Sequence, residues 1–581
     1  MMITFFDKHI CNYLDNESGY DESDVKLIKE KYKTEITDDL SKGHITTNIG
    51  LVAGSILEKN PRNLAENIKS YLISLSEVDK IEVAGPGFLN IFLERSYFAN
   101  VIDDSLELGQ DFGSSLNGDG KKIQIEFVSA NPTGPLHVGH GRGAAFGDAI
   151  GKILQASGYL VSKEYYINDA GRQIDILTVS VMLRLYECFN DKEFPNSGYK
   201  GKYIIDIAKE LKSEKKLSNE EIKRITTDLP NDPEEEIDFL IKEFKTKDSV
   251  LWSKTKQKSL KVVLKSIKED LKDFKVEFDE WYFESSLGTL QEKDSKISSA
   301  IQELQKKELA YKKNGALWLK TNHAGDDKDR VLIREDGRAT YFASDVAYHK
   351  HKVDRGFDKL INVWGSDHHG YIKRIEASLE GLGFSKEKLF VQLVQFANLF
   401  QGGKRLKMST RSGSFYTLKD LIKEIGVDAA RFYYLSKQAD QHLDFDIDLA
   451  KSENKENLIF YIQYAHARIS SIQGKYNSKN ESLPKTHLSI VEGSYLACDQ
   501  LIHESSKFPG IVQRAADTLQ PHLIVFYLRD LAQLLHSFYN DHPILKESKE
   551  NQASIIRSLS LVQLVISNGL NLLGIKALDK M

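Results

Sequence analysis

Hydrophobic positions follow two periods along this chain. KKIQIEFVSA alternates apolar and polar residues with β-branched neighbours and predicts a strand over 122–129. GRGAAFGDAIGKILQASG predicts a helix over about 139–157 with a small-residue face, and the apolar run behind it a strand over 159–167. Strand, helix and strand in that order close right-handed onto a parallel sheet. LINVWGSDHHGYIKRIEASLEGLG repeats the strand–loop–helix layout, and KLFVQLVQFANLF reads as another strand. Upstream, helical patterns near 22–35, 48–59 and 62–76 lead into KIEVAGPGFLNIFLE, a strand–turn–strand broken at Gly85, Pro86 and Gly87. Residues 175–275 read as Lys- and Glu-rich solvated helices of an insertion, and after about 425 the chain reads as wholly helical.

Composition narrows the class. A chain of 581 residues exceeds one hydrophobic core, so about three or four domains are expected. Apolar content of 41% and charged content of 28% are those of a soluble globular protein. No apolar run reads as long enough to span a bilayer, and the acidic N-terminal stretch lacks the basic start and small-residue cleavage site of a signal peptide. Three dispersed cysteines, Cys11, Cys188 and Cys498, argue against a disulfide framework or a cysteine zinc site. A cytoplasmic location without membrane contact is the expectation. The net charge of −5 leaves RNA open, because phosphate contacts need only local basic surface. GGKRLKMSTR (402–411) offers such a place, with Lys404, Arg405, Lys407 and Arg411 and no acid among them.

The candidate chemistry begins at NPTGPLHVGH (131–140). A strand, a Pro/Gly loop and a helix N-terminus make the usual phosphate site of an open α/β sheet. His137 and His140 can be read as a metal pair, as structural residues, or as donors to a phosphate. A metal pair would need a third ligand at suitable spacing, and the surrounding sequence offers none. HxGH alone does not separate the other two readings. In WGSDHHG (364–370), Asp367, His368 and His369 are consecutive at a strand end and point in different directions, unlike ligands of one ion. GSSLNGDGKK resembles a P-loop superficially but lacks the Lys-Ser/Thr pair.

A second motif changes the balance. KMSTR (407–411) follows the last parallel strand, and HVGH and KMSTR in that order resemble the HIGH and KMSKS signatures of class I aminoacyl-tRNA synthetases. ANPTGPLHVGHGRGAAFGDAI, YYINDAGRQID, ATYFASDVAYHKHK, WGSDHHGYIKR, NPRNLAENI, VAGPGFLNIFL and DAARFYYLS all resemble the arginyl-tRNA synthetase family, so the likeness covers nearly the whole chain.

The resemblance implies a Rossmann-like doubly wound parallel-sheet catalytic domain over 115–450, with an insertion at about 175–330. An α+β tRNA-binding domain over 1–114 and an all-α anticodon-binding domain over 451–581 would flank it. It implies ATP-dependent attachment of L-arginine to the terminal ribose of its tRNA, at the 2′-OH, with Mg²⁺ arriving on the ATP, no metal held by the protein, and a monomer.

The same resemblance assigns the residues. His137 and His140, with Lys407 and Arg411, would stabilise the phosphates. Gly139, Gly141, Gly365, Asp367, His368, Met408 and Ser409 would contact ATP. Glu126, Asn131, Tyr341 and Asp345 would bind arginine. Tyr461, Tyr464, His466 and Arg468 would touch tRNA. Thr410 departs from the signature, which carries a lysine there. A small-molecule nucleotidyltransferase with the same HxGH motif would need neither flanking domain. A non-catalytic RNA-binding relative would be expected to lack the signature histidines and Asp345.

Overall fold

The computed structural model describes residues 2–17, 19–189, 194–212, 217–406, 416–478 and 494–581. The chain begins with α1 (Met2–Asn16), α2 (Glu22–Lys31), β1 (Thr34–Ile36), β2 (Ile45–Thr47), α3 (Ile49–Ile56) and α4 (Pro61–Leu72). It continues with β3 (Val78–Ala84), β4 (Phe88–Leu93) and α5 (Arg95–Leu108). The four strands pair antiparallel in the order β1-β2-β4-β3. Asn60 caps α4 by accepting from the N–H groups of Arg62 and Asn63, Pro61 opens its first turn, and Leu64, Ala65, Ile68 and Leu72 form its buried stripe. At Gly87, with φ +137°, a Cβ would lie 2.9 Å from the Leu51 nitrogen, so the β3–β4 turn requires glycine to pack on α3.

The centre is a five-stranded parallel sheet in the order β12-β11-β5-β6-β7. β5 (Lys122–Glu126) leads through α6 (Val138–Ala156) to β6 (Leu160–Ile167). Helices α7 (Arg172–Leu185), α8 (Lys202–Glu210), α9 (Asn219–Thr226), α10 (Pro233–Lys247) and α11 (Ser249–Asp273) precede β7 (Glu280–Phe283). Next come α12 (Lys296–Lys306) and the antiparallel strands β8 (Ala310–Lys313), β9 (Ala316–Leu319) and β10 (Arg330–Ile333). The chain returns to the sheet through α13 (Tyr341–Asp354), β11 (Lys359–Gly365), α14 (Ile372–Gly381) and β12 (Leu389–Val394).

From the middle strand β5 the sheet grows outward in both directions, so a crevice opens at the carboxyl ends of β5 and β11. Ile125, Ile361 and Val363 share one core with Ile150 and Leu154 of α6, whereas Leu360 packs with Val346, Ile375 and Leu379 in the core beyond the opposite face. At Gly147 a Cβ would fall 2.3 Å from the Phe127 ring, so the small-residue face of α6 is what lets it close on the sheet.

Three local expectations change. β5 stops at Glu126 because the chain turns at Val128 (φ +66°) and Ser129 (φ +39°). KLFVQLVQFANLF divides into β12 and β13 (Ala397–Gln401), and β13 leaves the main sheet. It pairs antiparallel with β14 (Lys404–Arg405) and parallel with β15 (Leu443–Asp446). The chain after 425 is therefore not wholly helical, since β15 follows α15 (Leu418–Ile425) and α16 (Val427–Leu435).

Helix α17 (Ile447–Lys451) leads into the C-terminal helices α18 (Leu458–Asn477), α19 (Ser494–Ser506), α20 (Phe508–Thr518), α21 (His522–Asp541) and α22 (Lys549–Leu572). Contrary to the reading of no membrane-length run, α22 is long and apolar enough by length and composition. Most of its apolar window is buried inside the helical bundle. The N-terminal unit is held to this bundle by Asn568, whose amide donates to the carbonyls of Gly109 (2.9 Å) and Phe112 (3.0 Å).

Candidate active site

His137 caps α6 with its ring: Nδ1 accepts from Gly139 N–H at 3.0 Å. His140 reciprocates, its Nδ1 accepting from His137 N–H at 3.3 Å, and the rings stack with centroids 3.7 Å apart. Burial lowers the pKa of His137. Burial, with repulsion from His137, lowers that of His140 to about 3. Both rings are therefore neutral at pH 7. With each Nδ1 acting as acceptor, each proton resides on Nε2. The pair presents two Nε2–H donors at a helix N-terminus, a placement suited to phosphate oxygens.

Both histidines line a cavity of about 450 Å³, together with Gly139, Gly143, Gly365, Asp367 and His368. Gly141 does not line it. A Cβ there would meet Tyr434 at 2.7 Å and Leu418 at 2.9 Å, so Gly141 serves helix packing. Gly143, one turn beyond Gly139, lines the cavity instead, with open space where a Cβ would stand. Asp367 and His368 are exposed at the rim, in the turn after β11. Asn131 forms wall shared with a second cavity of about 310 Å³.

At the sheet's carboxyl edge a carboxylate cluster gathers. Asp345, in the second turn of α13, accepts from the Tyr371 hydroxyl. Burial, opposed by that hydrogen bond and reinforced by the charge of Glu126, raises its pKa to about 7. Glu284, just beyond β7, also stands at about 7, through burial and the negative charges of Asp345 and Asp169. The Asn168 side-chain amide lies against Glu284 Oε2 and the Ala170 carbonyl, two acceptors 2.7 Å away that its nitrogen satisfies when the amide is turned toward them. Tyr166 lies in the field of Glu284, Asp345 and Glu126. Tyr341 stands half-exposed at the mouth, its hydroxyl 3.0 Å from where a Cβ on Gly171 (φ +87°) would be. The cluster thus holds two carboxyls, Glu284 buried and Asp345 partly so, in a field that favours a cation, and a guanidinium meets a carboxylate with paired hydrogen bonds.

Glu126 is differently employed. Its Oε2 accepts from Lys352 Nζ at 2.5 Å and its Oε1 from Ser129 Oγ at 2.9 Å. Lys352, fully buried, also donates to Asn362 Oδ1 at 2.9 Å, and Asn362 meets His349 Nε2 at 2.7 Å. Each Glu126 oxygen accepts a hydrogen bond from within the protein, which ties this residue to Ser129 and Lys352. Glu284 is the functional candidate that the sequence reading missed. Its available signal was its place at the carboxyl end of a parallel strand.

Lys407, Met408, Ser409, Thr410 and Arg411 lie outside the described residues. Their flanks converge on Glu424 of α15, which accepts from the Gln401 amide at 2.7 Å, from Lys451 Nζ at 2.6 Å and from the Tyr416 hydroxyl. In α18, Tyr464 is exposed, and Arg468 lies over the Tyr464 and Tyr539 rings. Tyr461 packs on His536. His466 is buried with Nδ1 3.0 Å from the Leu578 carbonyl, a place that anchors the chain's end and gives RNA no access. Among the described residues no group of three or more His, Cys, Asp or Glu is placed to hold a metal ion.

This fold is that of the class I tRNA synthetases, and the family model described as "tRNA synthetases class I (R), catalytic domain" matches residues 105–467. Models of the arginyl tRNA synthetase N-terminal domain and the DALR anticodon binding domain match 10–93 and 462–581. The arginine–tRNA ligase of Legionella pneumophila strain Paris is 43% identical over 571 residues, 95% of each chain. That of Hydrogenovibrio crunogenus is 42% identical over 572 residues, 95% of this chain and 96% of its own. The chain belongs to the arginyl-tRNA synthetase family. The Thermus thermophilus arginyl-tRNA synthetase structure shares the fold, with a TM-score of 0.74, full coverage of both chains and 20% identity.

Proposed function

We propose that this protein charges the arginine-accepting tRNA with L-arginine at the expense of ATP, using the cavity at the β5/β11 switch point. One observation carries the reading: the capped histidine pair lines a cavity whose wall includes Asn168, and the Asn168 amide reaches Glu284 of the carboxylate cluster that holds Asp345. An arginine carboxylate oxygen attacks the α-phosphorus, the bond to the leaving oxygen breaks, and pyrophosphate departs with the electron pair. A ribose hydroxyl of the tRNA end, read as the 2′-OH, then attacks the acyl carbon of arginyl adenylate. AMP leaves with the electron pair, and its phosphate can take the hydroxyl proton.

The carboxylate is already a nucleophile, so the first step needs positioning and charge stabilisation more than a general base. His137 and His140 donate to phosphate oxygens as charge grows there, each contributing about 2.7–4 kcal/mol if it acts as an oxyanion-hole donor does. Asp345 and Glu284 hold the guanidinium, Tyr341 closes over its stem, and Asn131 lies between substrate and loop. Gly139 and Gly143 admit the nucleotide, and Asp367 receives the ribose hydroxyls beside His368. Mg²⁺, a hard cation that prefers phosphate oxygens, travels with ATP. Lys407, Met408, Ser409 and Arg411 serve the phosphates, and Tyr464 and Arg468 offer a ring and a cation to RNA. The three matched regions correspond to an N-terminal tRNA-binding domain, a catalytic domain and an anticodon-binding domain. One chain carries all three and works as a monomer in the cytoplasm.

The test is exchange of labelled pyrophosphate into ATP, with and without tRNA, against citrulline and lysine. Arginine alone should support exchange, because neutral citrulline leaves the two carboxyls without a cation. Absence of exchange under both conditions, with tRNA still bound, would overturn the catalytic reading.

A further inference from the structure

Helix α16 grips α6, the helix that the histidine pair opens, at two points. Arg431 donates through Nη2 to Asp148 Oδ2 at 2.6 Å, and both side chains are buried. Tyr434, also buried, donates its hydroxyl to the Val138 carbonyl at 2.7 Å. Residues three apart on a helix share a face, so Arg431 and Tyr434 reach α6 from the same side of α16. Asp148 lies about 15 Å further along α6 than Val138, at the rise of an α-helix. Val138 stands between His137 and Gly139, so the tyrosine bond falls on the turn that carries the stacked imidazoles. Neither Arg431 nor Tyr434 is among the residues lining the nucleotide cavity.

The grip is itself anchored. A buried arginine is costly unless its donors are satisfied, and Arg431 spends the rest of them on two helix ends. Its Nε donates to the Leu573 carbonyl at 2.9 Å and its Nη1 to the Phe274 carbonyl at 3.1 Å. Phe274 closes α11 of the insertion and Leu573 closes α22 of the C-terminal bundle. Free carbonyls and the negative dipole end make such places favourable for a cation. Gly574 (φ +70°) leaves the necessary room, since a Cβ there would lie 2.3 Å from Nη2. The planar fork of the guanidinium thus reaches acceptors in three elements, a spread that the single ammonium of a lysine does not cover. Asp148 also accepts from Lys152 Nζ at 3.0 Å and Lys163 Nζ at 3.2 Å, which ties α6 to β6.

Donation to a phosphate oxygen is steep in distance and angle, and a misplacement of about 1 Å at a reacting centre can cost about 100-fold in rate. The first turn of α6 must therefore be held, and α16 supplies a hold from the side away from substrate. We propose that Arg431 and Tyr434 are positioning residues for adenylate formation: through Asp148 and the Val138 carbonyl they fix α6 so that the His137–His140 pair meets the phosphate in register. Neither touches substrate, and both act through the histidines. The inference rests on the charging reading and adds the residues that aim its donors.

The experiment uses the full chain at saturating tRNA and reads pyrophosphate exchange at varied ATP and arginine. Tyr434→Phe keeps the ring and removes only the bond to Val138. It should lower the exchange kcat about 5-fold, the net worth of one hydrogen bond, with both KM values within about twofold of the wild type. Arg431→Lys keeps a charge near Asp148 but loses the reach to Leu573 and Phe274, and should show the same split with a fall of about 10-fold, the loss of more than one such bond. The deciding comparison is a His137→Asn background, in which asparagine still caps α6 but the reciprocal histidine pair is gone. There the Tyr434→Phe factor should shrink below about twofold, because residues that act through one another are not additive. A merely structural role would give the same factor in both backgrounds, and that result overturns the inference, as does an unchanged kcat in Tyr434→Phe. If Arg431→Lys impairs folding, Tyr434→Phe decides alone by the same comparison. A wild type without exchange would overturn the charging reading and this inference together, whereas an active wild type with additive losses would overturn the inference alone.

Discussion

Asp345 and Glu284 come together from different elements, one in the second turn of α13 and the other just beyond β7, and the negative charge of Asp345 adds to burial in raising the pKa of Glu284. Without a cation between them, both stand at about 7, near half-ionised at neutral pH. A guanidinium would draw both into the charged form, so arginine binding should release protons and strengthen as pH rises from 6 to 8. Titration calorimetry at pH 6, 7 and 8 in buffers of different ionisation enthalpy checks this. Affinity should fall about 10-fold per pH unit below 7 for each group that must ionise. A flat profile without proton release would exclude the pair as the cation site.

The same shifts predict the opposite slope for the ligand-free protein. Their folded-state values exceed those of an unfolded chain, so between about pH 4 and 7 the folded state binds more protons. These two groups therefore stabilise the free protein at the acid end and lose that contribution as pH rises through 7. Asp345→Asn and Glu284→Gln should raise the arginine KM about 10- to 150-fold, the worth of a hydrogen bond to a charged group. They should leave the Tm at pH 8 unchanged or higher. A large fall in Tm with unchanged KM would make the carboxyls structural.

Much of this site was legible because its residues sit in short words at predictable places. His137 and His140 follow a strand and open a helix, Asp367 ends a strand, and Tyr341 and Asp345 are one turn apart. Gly139 and Gly143 also lie one turn apart on one helix face, while Gly141 points toward α16, a distinction visible once the helical phase is applied. Glu284 escaped because β7 is four residues long and falls just after the helical stretch 175–275, where no element was expected. β15 escaped for a similar reason: Leu443 and Phe445 alternate with acids over a single short segment. The roles of Glu126 and His466 depend on Lys352 and Leu578, partners remote in sequence whose proximity follows only from tertiary packing.

Glu424 links both flanks of the KMSTR segment to Lys451 of α17, and Asp448 of the same helix accepts from Gly402 N–H at 2.7 Å. Glu424→Gln removes the charge that gathers three donors. It should raise the ATP KM in pyrophosphate exchange several-fold, about 1–2 kcal/mol for a weakened charged hydrogen-bond set, while leaving arginine affinity unchanged. Equal loss of both affinities would indicate general unfolding, and no change in either would show that the flanks are held by other contacts.

Lys352 and Glu126 form a buried pair beneath the carboxylate cluster, and the lysine charge also restrains the pKa of Asp345. Lys352→Met leaves Glu126 buried beside Asn362 without its cation, at a cost of about 3–5 kcal/mol. The same substitution should push Asp345 further up, shifting the pH at which arginine binding strengthens to a higher value. Lys352→Met combined with Glu126→Gln removes the uncompensated charge and the repulsion together. Both stability and the pH profile should therefore move back toward the wild type. Denaturant unfolding and calorimetry on the same three proteins separate the effects. Recovery of stability without recovery of the profile would mean that the lysine charge outweighs that of Glu126 at Asp345; recovery of both would mean that the two charges offset one another there.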